Sequence, residues 1–151
     1  MKTSEEAIVV EQYFTVPLAR LWKALTDPTQ MRQWFFEDIN SFEPKEGFET
    51  SFVVKNEGRT FPHLWKIIEV KPGKKIVYNW KYEGYQGDSF VTFELFEQEH
   101  QQTRLKLTHK VIEDFSDAIP EFSRENCLGG WQYFIKQQLS KYLSKEEGHK
   151  S

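Results

Sequence analysis

The sequence predicts an α+β domain in which a strongly curved antiparallel β-sheet of about seven strands wraps around one long C-terminal α-helix. Apolar and polar residues alternate with a period of two from about residue 37 to 112, and a helical period follows Asp114 and runs to about Leu143. The 151 residues suit a single domain with one core, spanning 1–151. Because an antiparallel sheet must cover its apolar face, we expect the last helix to lie across its concave side, over either a packed core or a hollow.

A strand and two short helices are predicted at the start of the chain. Residues 7–14 are rich in β-branched and aromatic types, which favour a strand. Pro17 then precedes a first short helix, and Asp27 caps a second one that Pro28 opens. The apolar residues at helical spacing are Leu18, Leu21, Trp22 and Leu25 in the first helix, then Met31, Trp34 and Phe35 in the second.

Half-buried strands are predicted in the middle of the chain because apolar residues alternate there with polar ones. The clearest segments are 48–55, 63–70, 76–83, 91–95 and 104–109. Turn-forming residues separate them, in the stretches 56–58, 71–74, 84–87 and 98–102. In segment 63–70 the pattern leaves two alternatives open, since either Trp65 with Ile67 or Leu64 with Ile68 could face the interior.

The C-terminal helix carries the apolar face that would close the interior. On a helical wheel centred on Trp131, this face also holds Cys127, Leu128, Phe134, Ile135, Leu139 and Tyr142. Gln138 falls near its centre, where an unpaired amide would cost about 1 to 3 kcal/mol. Phe122, Gly129 and Tyr133 form a second stripe on the outer side, while Gly130 borders the inner face. The polar residues from about 145 to 151 are expected to fray.

Charge and cysteine content exclude several classes of protein. A net charge of -3, from 20 basic and 23 acidic residues, provides no basic surface for nucleic acid or for stable membrane association. One cysteine, Cys127, fits a reducing compartment, and neither a secretory signal nor a membrane span is recognisable. We therefore predict a cytoplasmic protein.

No motif for metal, cofactor or nucleophilic chemistry stands out. The four histidines lack ligands at metal-binding spacing, and no Gly-x-Ser-x-Gly motif is present. Cys127 lies on an apolar helix face, where we expect a small buried hydrophobe rather than a thiolate. The sequence thus indicates no metal site, no cofactor and no catalytic residue, and whether the protein is an enzyme stays open, with a non-catalytic role favoured.

An ordered set of short motifs resembles the activator of Hsp90 ATPase homologue 1-like family. The motifs are Val16-Pro17, Leu21-Trp22, Ala24-Leu25-Thr26-Asp27-Pro28, Trp34-Phe35, Val77-Tyr78-Asn79-Trp80, Val91-Thr92-Phe93-Glu94-Leu95, Thr103-Arg104-Leu105 with His109, and Gly130-Trp131. The resemblance covers nearly the whole chain and implies the helix-grip fold of the START-like, or Bet v 1-like (SRPBCC), superfamily, with an internal apolar cavity. Superfamily members bind lipids, sterols, polyketides or hormones, and some are cyclases or hydrolases.

The sequence departs from two branches of this superfamily. Eukaryotic co-chaperones of this type carry a separate N-terminal domain, for which this chain has no room, so the resemblance gives little support for a co-chaperone role. The glycine cluster of the plant Bet v 1 proteins is also missing, because the stretch Glu46-Gly47-Phe48-Glu49 holds one glycine.

The candidate site consists of residues phased toward the interior. Aromatic residues make up 16% of the chain, which suits either a thick core or the wall of an apolar binding site. The candidates are Phe52, Trp65, Tyr78, Trp80, Phe93, Leu107, His109, Trp131, Phe134, Ile135 and Gln138. His109 continues the inward phase of Leu105 and Leu107, so it could bond a neighbouring backbone group or contact a ligand.

Three functions remain open from the sequence. The first is non-catalytic binding of a small apolar, aromatic or lipid-like molecule, with His109 and Gln138 orienting its polar group. The second is a chaperone-associated or homodimeric interaction module that uses the outer stripe. The third and weakest is a cyclase or hydrolase with His109 as acid or base.

Overall fold

The computed structural model describes the backbone of residues 1–149 and the side chains of residues 1–144. In chain order its elements are β1 (Ile8–Phe14), α1 (Leu18–Thr26), α2 (Pro28–Trp34), β2 (Glu49–Asn56), β3 (Arg59–Lys71), β4 (Lys75–Tyr82), β5 (Asp88–Glu97), β6 (Thr103–Glu113), a 3₁₀ turn (Pro120–Phe122), α3 (Arg124–Gln132), a π-helical segment (Tyr133–Leu139) and α4 (Ser140–His149). None of these helices combines the length and the hydrophobicity that crossing a bilayer requires.

The last three elements form one uninterrupted C-terminal helix. Gln132, Tyr133 and Ser140, at the two junctions, all have right-handed helical backbone angles. The helix begins at Arg124, because the Ser123 hydroxyl accepts a hydrogen bond from the Asn126 amide (3.1 Å) and caps it. The helical backbone reaches His149. The tail from about residue 145 was expected to fray. The side chains of residues 145–149, and residues 150 and 151 as a whole, lie outside the part that the structure describes.

The sheet confirms the predicted α+β helix-grip fold, with one correction to its size. Within the described residues 1–149 it has six antiparallel strands, in the order β1-β6-β5-β4-β3-β2, rather than about seven. The stretch 37–47 holds no strand, although the period of two was expected to start there. Its buried residues Ile39 and Phe42 are three positions apart, which does not match the period of a strand. Its backbone accepts hydrogen bonds from side chains instead, as from Arg32 to the Ile39 carbonyl (2.6 Å).

The inward face of β3 is now assigned. Trp65 and Ile67 are buried, while Leu64 is half-buried and Ile68 is 44% exposed. A bulge between Ile67 and Glu69 leaves Ile68 outside the pairing with β4. The same alternation buries His63, so a titratable side chain joins the aromatic interior.

The two short helices and the segment after them cover one end of the sheet. Trp34 donates its indole N–H to the Ala24 carbonyl (2.8 Å), which joins α2 to α1. Phe35, directly after α2, reaches into the interior and packs on rings from the sheet and from the C-terminal helix. Phe35 thus joins the segment after α2 to the aromatic interior.

A close contact between Gly87 and Phe115 joins the β4–β5 turn to the segment before the C-terminal helix. Gly87 has a φ of +122°, and a Cβ added there would overlap the Phe115 ring. Phe115 is fully buried and packs against Tyr82 and Phe122. Since the ring is held on several sides, it has no room to retreat from a larger residue at position 87.

We predict that Gly87→Ala lowers the free energy of unfolding by about 2 to 4 kcal/mol, because backbone strain and overpacking act together. Gly84→Ala is the matched control, since Gly84 also has a positive φ of 85° but nothing within 4 Å of an added Cβ. Its loss should be limited to about 1 to 2 kcal/mol of backbone strain. Urea unfolding of both variants measures the difference, and equal losses would contradict the role of Phe115.

Candidate functional site

A cavity of about 330 Å³ lies between the concave face of the sheet and the first turns of the C-terminal helix. This volume is at the lower end of the range for small-molecule sites. The lining residues are Phe36, Val54, Asn56, Phe61, His63, Trp80, Tyr82, His109, Glu121, Phe122, Asn126, Cys127, Gly130, Trp131 and Phe134. Seven of these fifteen residues are Phe, Trp or Tyr, and the surface that they line is mainly apolar.

The exposed lining residues, Asn56 at the end of β2 and Asn126 in α3, mark the side on which the cavity opens to solvent. Glu121 spans this mouth, because its carboxylate accepts hydrogen bonds from Arg59 Nε (2.8 Å) and from Asn56 Nδ2 (2.8 Å). The hydrogen bond from Arg59 is the main cause that lowers the pKa of Glu121 below its usual value. The charges at the mouth are therefore paired with each other.

Four of the eleven candidate residues line this cavity, namely Trp80, His109, Trp131 and Phe134. Six others lie in the packed interior beside it and do not line it: Phe52, Trp65, Tyr78, Phe93, Leu107 and Ile135, each at most 3% exposed. The period of two identified the inward faces of β4, β5 and β6 and left that of β3 open. It could not show that rings fill most of the interior and leave space at one end.

Gln138 does not lie at the centre of the inner face as the wheel predicted. The buried positions of the helix are Trp131, Ile135, Leu139 and Leu143, a spacing of four residues. The π-helical segment widens the turns between Tyr133 and Leu139, so the inner stripe follows every fourth residue and Gln138 moves to the side. Its side chain is half-buried and does not line the cavity.

Several lining residues were missed by the sequence reasoning. Phe61 and His63 follow the same alternation as Trp65 on β3. His63 lay inside the predicted segment 63–70 in the phase of Trp65, and Phe61 would have been found by extending the segment toward Arg59. Phe36 comes from the irregular segment after α2 and packs on His63 and Phe134, with ring centroids 4.9 Å away in both cases. No periodic signal could have identified Phe36.

The two glycines of the helix face different surroundings. Gly130 lines the cavity and Gly129 is exposed on the outer side. Neither has any atom within 4 Å of an added Cβ. Gly130 therefore does not accommodate an approaching strand or loop. Its missing side chain leaves space in the cavity.

A directed chain of hydrogen bonds fixes the state of His109. Trp131 Nε1–H donates to His109 Nδ1 (3.0 Å), so Nδ1 carries no proton. His109 Nε2–H then donates to Ser89 Oγ (2.9 Å), whose hydroxyl donates to the Trp80 carbonyl (2.8 Å). Both ring nitrogens are occupied, and burial lowers the pKa of His109 to about 4, so the imidazole is neutral.

His63 is the second buried histidine of the cavity wall. Its Nδ1–H donates to the Phe61 carbonyl (3.0 Å), so the proton resides on Nδ1 and Nε2 carries a lone pair. Burial lowers the pKa of His63 to about 4, although the bond to the carbonyl acts in the opposite direction. No side chain within residues 1–144 donates to Nε2.

The cavity wall also contains Tyr82 and Cys127. The phenol oxygen of Tyr82 accepts from Trp80 Nε1 (2.8 Å), and burial raises the pKa of Tyr82 above its usual range. Burial likewise raises the pKa of the Cys127 thiol to about 12, which disfavours the thiolate. Across the described side chains, no group of three His, Cys, Asp or Glu residues could hold a metal ion.

Solved structures of similar fold come from several organisms. Protein CV1439 from Chromobacterium violaceum is 24% identical, with a TM-score of 0.72, and the match covers 90% of this chain and 95% of that one. Protein MLL2253 from Mesorhizobium loti is also 24% identical, with a TM-score of 0.72 and coverage of 93% and 98%. At this level of identity the likeness shows the fold.

A further structure carries a functional description. PFC0360w, described as an HSP90 activator from Plasmodium falciparum, is 27% identical to this chain, with a TM-score of 0.68 and coverage of 87% and 92%. No curated protein is significantly similar to the sequence. The family model for the activator of Hsp90 ATPase homolog 1-like protein matches residues 15–144, which is most of the chain. The chain therefore belongs to the activator of Hsp90 ATPase homolog 1-like family.

Proposed function

We propose that the protein binds a small apolar or aromatic, lipid-like molecule in this cavity without reacting with it. The observation that carries the proposal is the aromatic wall, which includes Phe36, Trp80, Trp131 and Phe134. Three of these rings stand on a strand or on the C-terminal helix, elements rigid enough to hold a fixed shape around a ligand. The volume of about 330 Å³ favours a molecule of one or two rings over a long acyl chain.

The electrostatics of the wall favour a neutral ligand. His63 and His109 are uncharged at neutral pH, and the thiol of Cys127 keeps its proton. The charged residues at the mouth, Glu121 and Arg59, neutralise each other. An anionic ligand would therefore lose its hydration without gaining a cation.

Within this proposal the candidate residues divide into two roles. Trp80, Trp131, Phe134 and the ring of His109 contact the ligand, while the six deeper residues support them from behind. Gln138 has no contact with the ligand. The cytoplasmic location inferred from the lone Cys127 belongs to the same proposal.

The cyclase or hydrolase alternative is not supported by the surroundings of His109. An acid or base must exchange a proton with the substrate, which requires an accessible ring nitrogen. Nδ1 accepts from Trp131 and Nε2 donates to Ser89, so neither nitrogen faces the cavity unpaired.

A chaperone-associated role is the second candidate, and the likeness to the HSP90 activator from Plasmodium falciparum favours it. The outer stripe predicted for it needs correction, because Phe122 is only 1% exposed and packs in the 3₁₀ turn against Phe61. Gly129 and Tyr133, which is 47% exposed, remain on the outer surface.

The second candidate predicts that the purified protein retains the Hsp90 homologue of its own host in a pulldown and raises that chaperone's ATPase rate. Tyr133→Ser should weaken both effects, because it removes the large exposed ring. Tyr13→Ser, on β1 and 58% exposed, is the matched surface control. Absence of capture by the unmodified protein would exclude this role.

The proposed ligand binding predicts different outcomes for the two helix glycines. Gly130→Leu should abolish ligand-induced thermal stabilisation, because the new side chain would occupy the cavity. Gly129→Leu should keep it, because position 129 is exposed. Both changes should stabilise the helix by about 1 kcal/mol, so the comparison separates filling of the cavity from helix propensity.

The measurement is a thermal-shift screen of neutral aromatic and lipid-like compounds, with native mass spectrometry of protein purified from its host to detect a co-purified ligand. Equal shifts in the two glycine variants would contradict binding in this cavity. The absence of a shift from every compound class, together with no retained ligand, would exclude the function.

The two neutral histidines predict that the protein loses stability as the pH falls from 7 to 5. In the unfolded chain each histidine gains a proton near pH 6.5, whereas in the folded protein it does so near pH 4. The unfolded state thus binds more protons in this window, and the free energy of unfolding should fall by about 2 kcal/mol per histidine. The lowered pKa of Glu121 confines its own contribution to lower pH.

Urea unfolding at pH 7 and pH 5 measures this loss. His63→Leu should remove roughly half of it, and the exposed His100→Asn should leave it unchanged. A stability independent of pH across this window would contradict the assignment of neutral, buried imidazoles.

A further inference from the structure

His63 and Tyr82 form a cross-strand pair in the wall of the cavity. They lie directly opposite each other in the register of β3 and β4, and both line the cavity. Their ring centroids are 4.7 Å apart, with the rings nearly perpendicular at 82°. The imidazole and the phenol ring are therefore in contact side by side in the wall of the cavity.

The unused hydrogen-bonding capacities of this pair are complementary. His63 Nε2 offers a lone pair, because Nδ1–H is already donated to the Phe61 carbonyl. Tyr82 accepts from the Trp80 indole, and within residues 1–144 its own O–H donates to no other group. One acceptor and one donor thus remain for whatever occupies the cavity. His109, in contrast, has both ring nitrogens bonded within the protein.

A hydroxyl group uses both capacities at once, because it donates one hydrogen bond and accepts another. An ether or a ketone can only accept, so it would leave His63 Nε2 without a donor. A carboxylate would place its oxygens against the Nε2 lone pair. Leaving a buried polar group unpaired is the strongest basis for rejecting a close analogue.

We propose that the cavity selects a neutral ring compound bearing a hydroxyl group, which donates to His63 Nε2 and accepts from the Tyr82 hydroxyl. This inference rests on the proposed binding function and adds the chemical class of the ligand. His63 and Tyr82 are the specificity-determining residues, and the aromatic wall supplies the apolar contact.

The experiment compares naphthalene, 2-naphthol and 2-methoxynaphthalene, which share one ring system and differ in the polar group. Dissociation constants are measured by calorimetry for the unmodified protein and for His63→Leu, with His100→Leu as the exposed control. We expect the ratio of the 2-naphthol to the naphthalene dissociation constant to rise roughly threefold to tenfold in His63→Leu. For 2-methoxynaphthalene the ratio should not rise, and His100→Leu should match the unmodified protein.

A measurement on the unmodified protein keeps the inference testable if His63→Leu does not fold. The ¹⁵N resonance of His63 Nε2 should move when 2-naphthol is added and stay in place when naphthalene is added. Decahydro-2-naphthol, a saturated alcohol, tests whether the hydroxyl group must be phenolic. The same shift assigns the site to hydroxylated rings in general, and a shift confined to 2-naphthol assigns it to phenols.

The possible failures are distinct. In one outcome, Gly130→Leu blocks naphthalene binding, but the affinity for 2-naphthol does not depend on His63. This outcome would overturn the hydroxyl assignment and leave the proposed function intact. Absence of binding by all of these compounds and by the wider screen would overturn both.

Discussion

The C-terminal helix is joined to the sheet by a continuous chain of hydrogen bonds, which runs from Trp131 through His109 and Ser89 to the Trp80 carbonyl. It crosses from α3 to β6, β5 and β4 in turn. Each donor meets one acceptor, so the chain fixes the imidazole tautomer and the rotation of the helix about its axis. Removal of one member would leave a buried polar group unpaired, at about 1 to 3 kcal/mol. Because the helix is held at this point, the wall of the adjacent cavity is fixed as well.

The fold could be predicted from the sequence wherever one period governed a whole element. Strands β4, β5 and β6 bury every second residue, so their inward faces follow from the pattern, although β5 and β6 extend beyond the predicted segments 91–95 and 104–109. The segment 37–47 has no such period, because Ile39 and Phe42 enter the core from a loop whose backbone is bonded by side chains. A period of two begun at residue 37 therefore predicted one strand too many.

The candidate site was less predictable because two of its features depend on departures from regular geometry. A wheel of 100° per residue placed Gln138 inside, whereas the π-helical segment makes every fourth residue face the sheet. The sequence also could not show which groups are hydrogen-bond partners. His109 was identified as an inward polar residue, but whether it bonds the protein or a ligand depends on Trp131 and Ser89, which are distant in sequence. His63 was in the correct phase and was missed.

Side-chain volume, rather than the fold, determines whether the interior is a core or a binding site. At one end, rings such as Phe35, Trp65 and Tyr78 fill the space so completely that Trp65 Nε1 and Tyr78 OH are buried without partners, in spite of the free-energy cost. At the other end, Gly130 presents no side chain, and His63 and Tyr82 line the space left open. The same helix and sheet thus support a closed region and an open one. Since a fold shared across a family does not specify what a cavity holds, a larger residue at position 130 would convert this cavity into core while leaving the architecture unchanged.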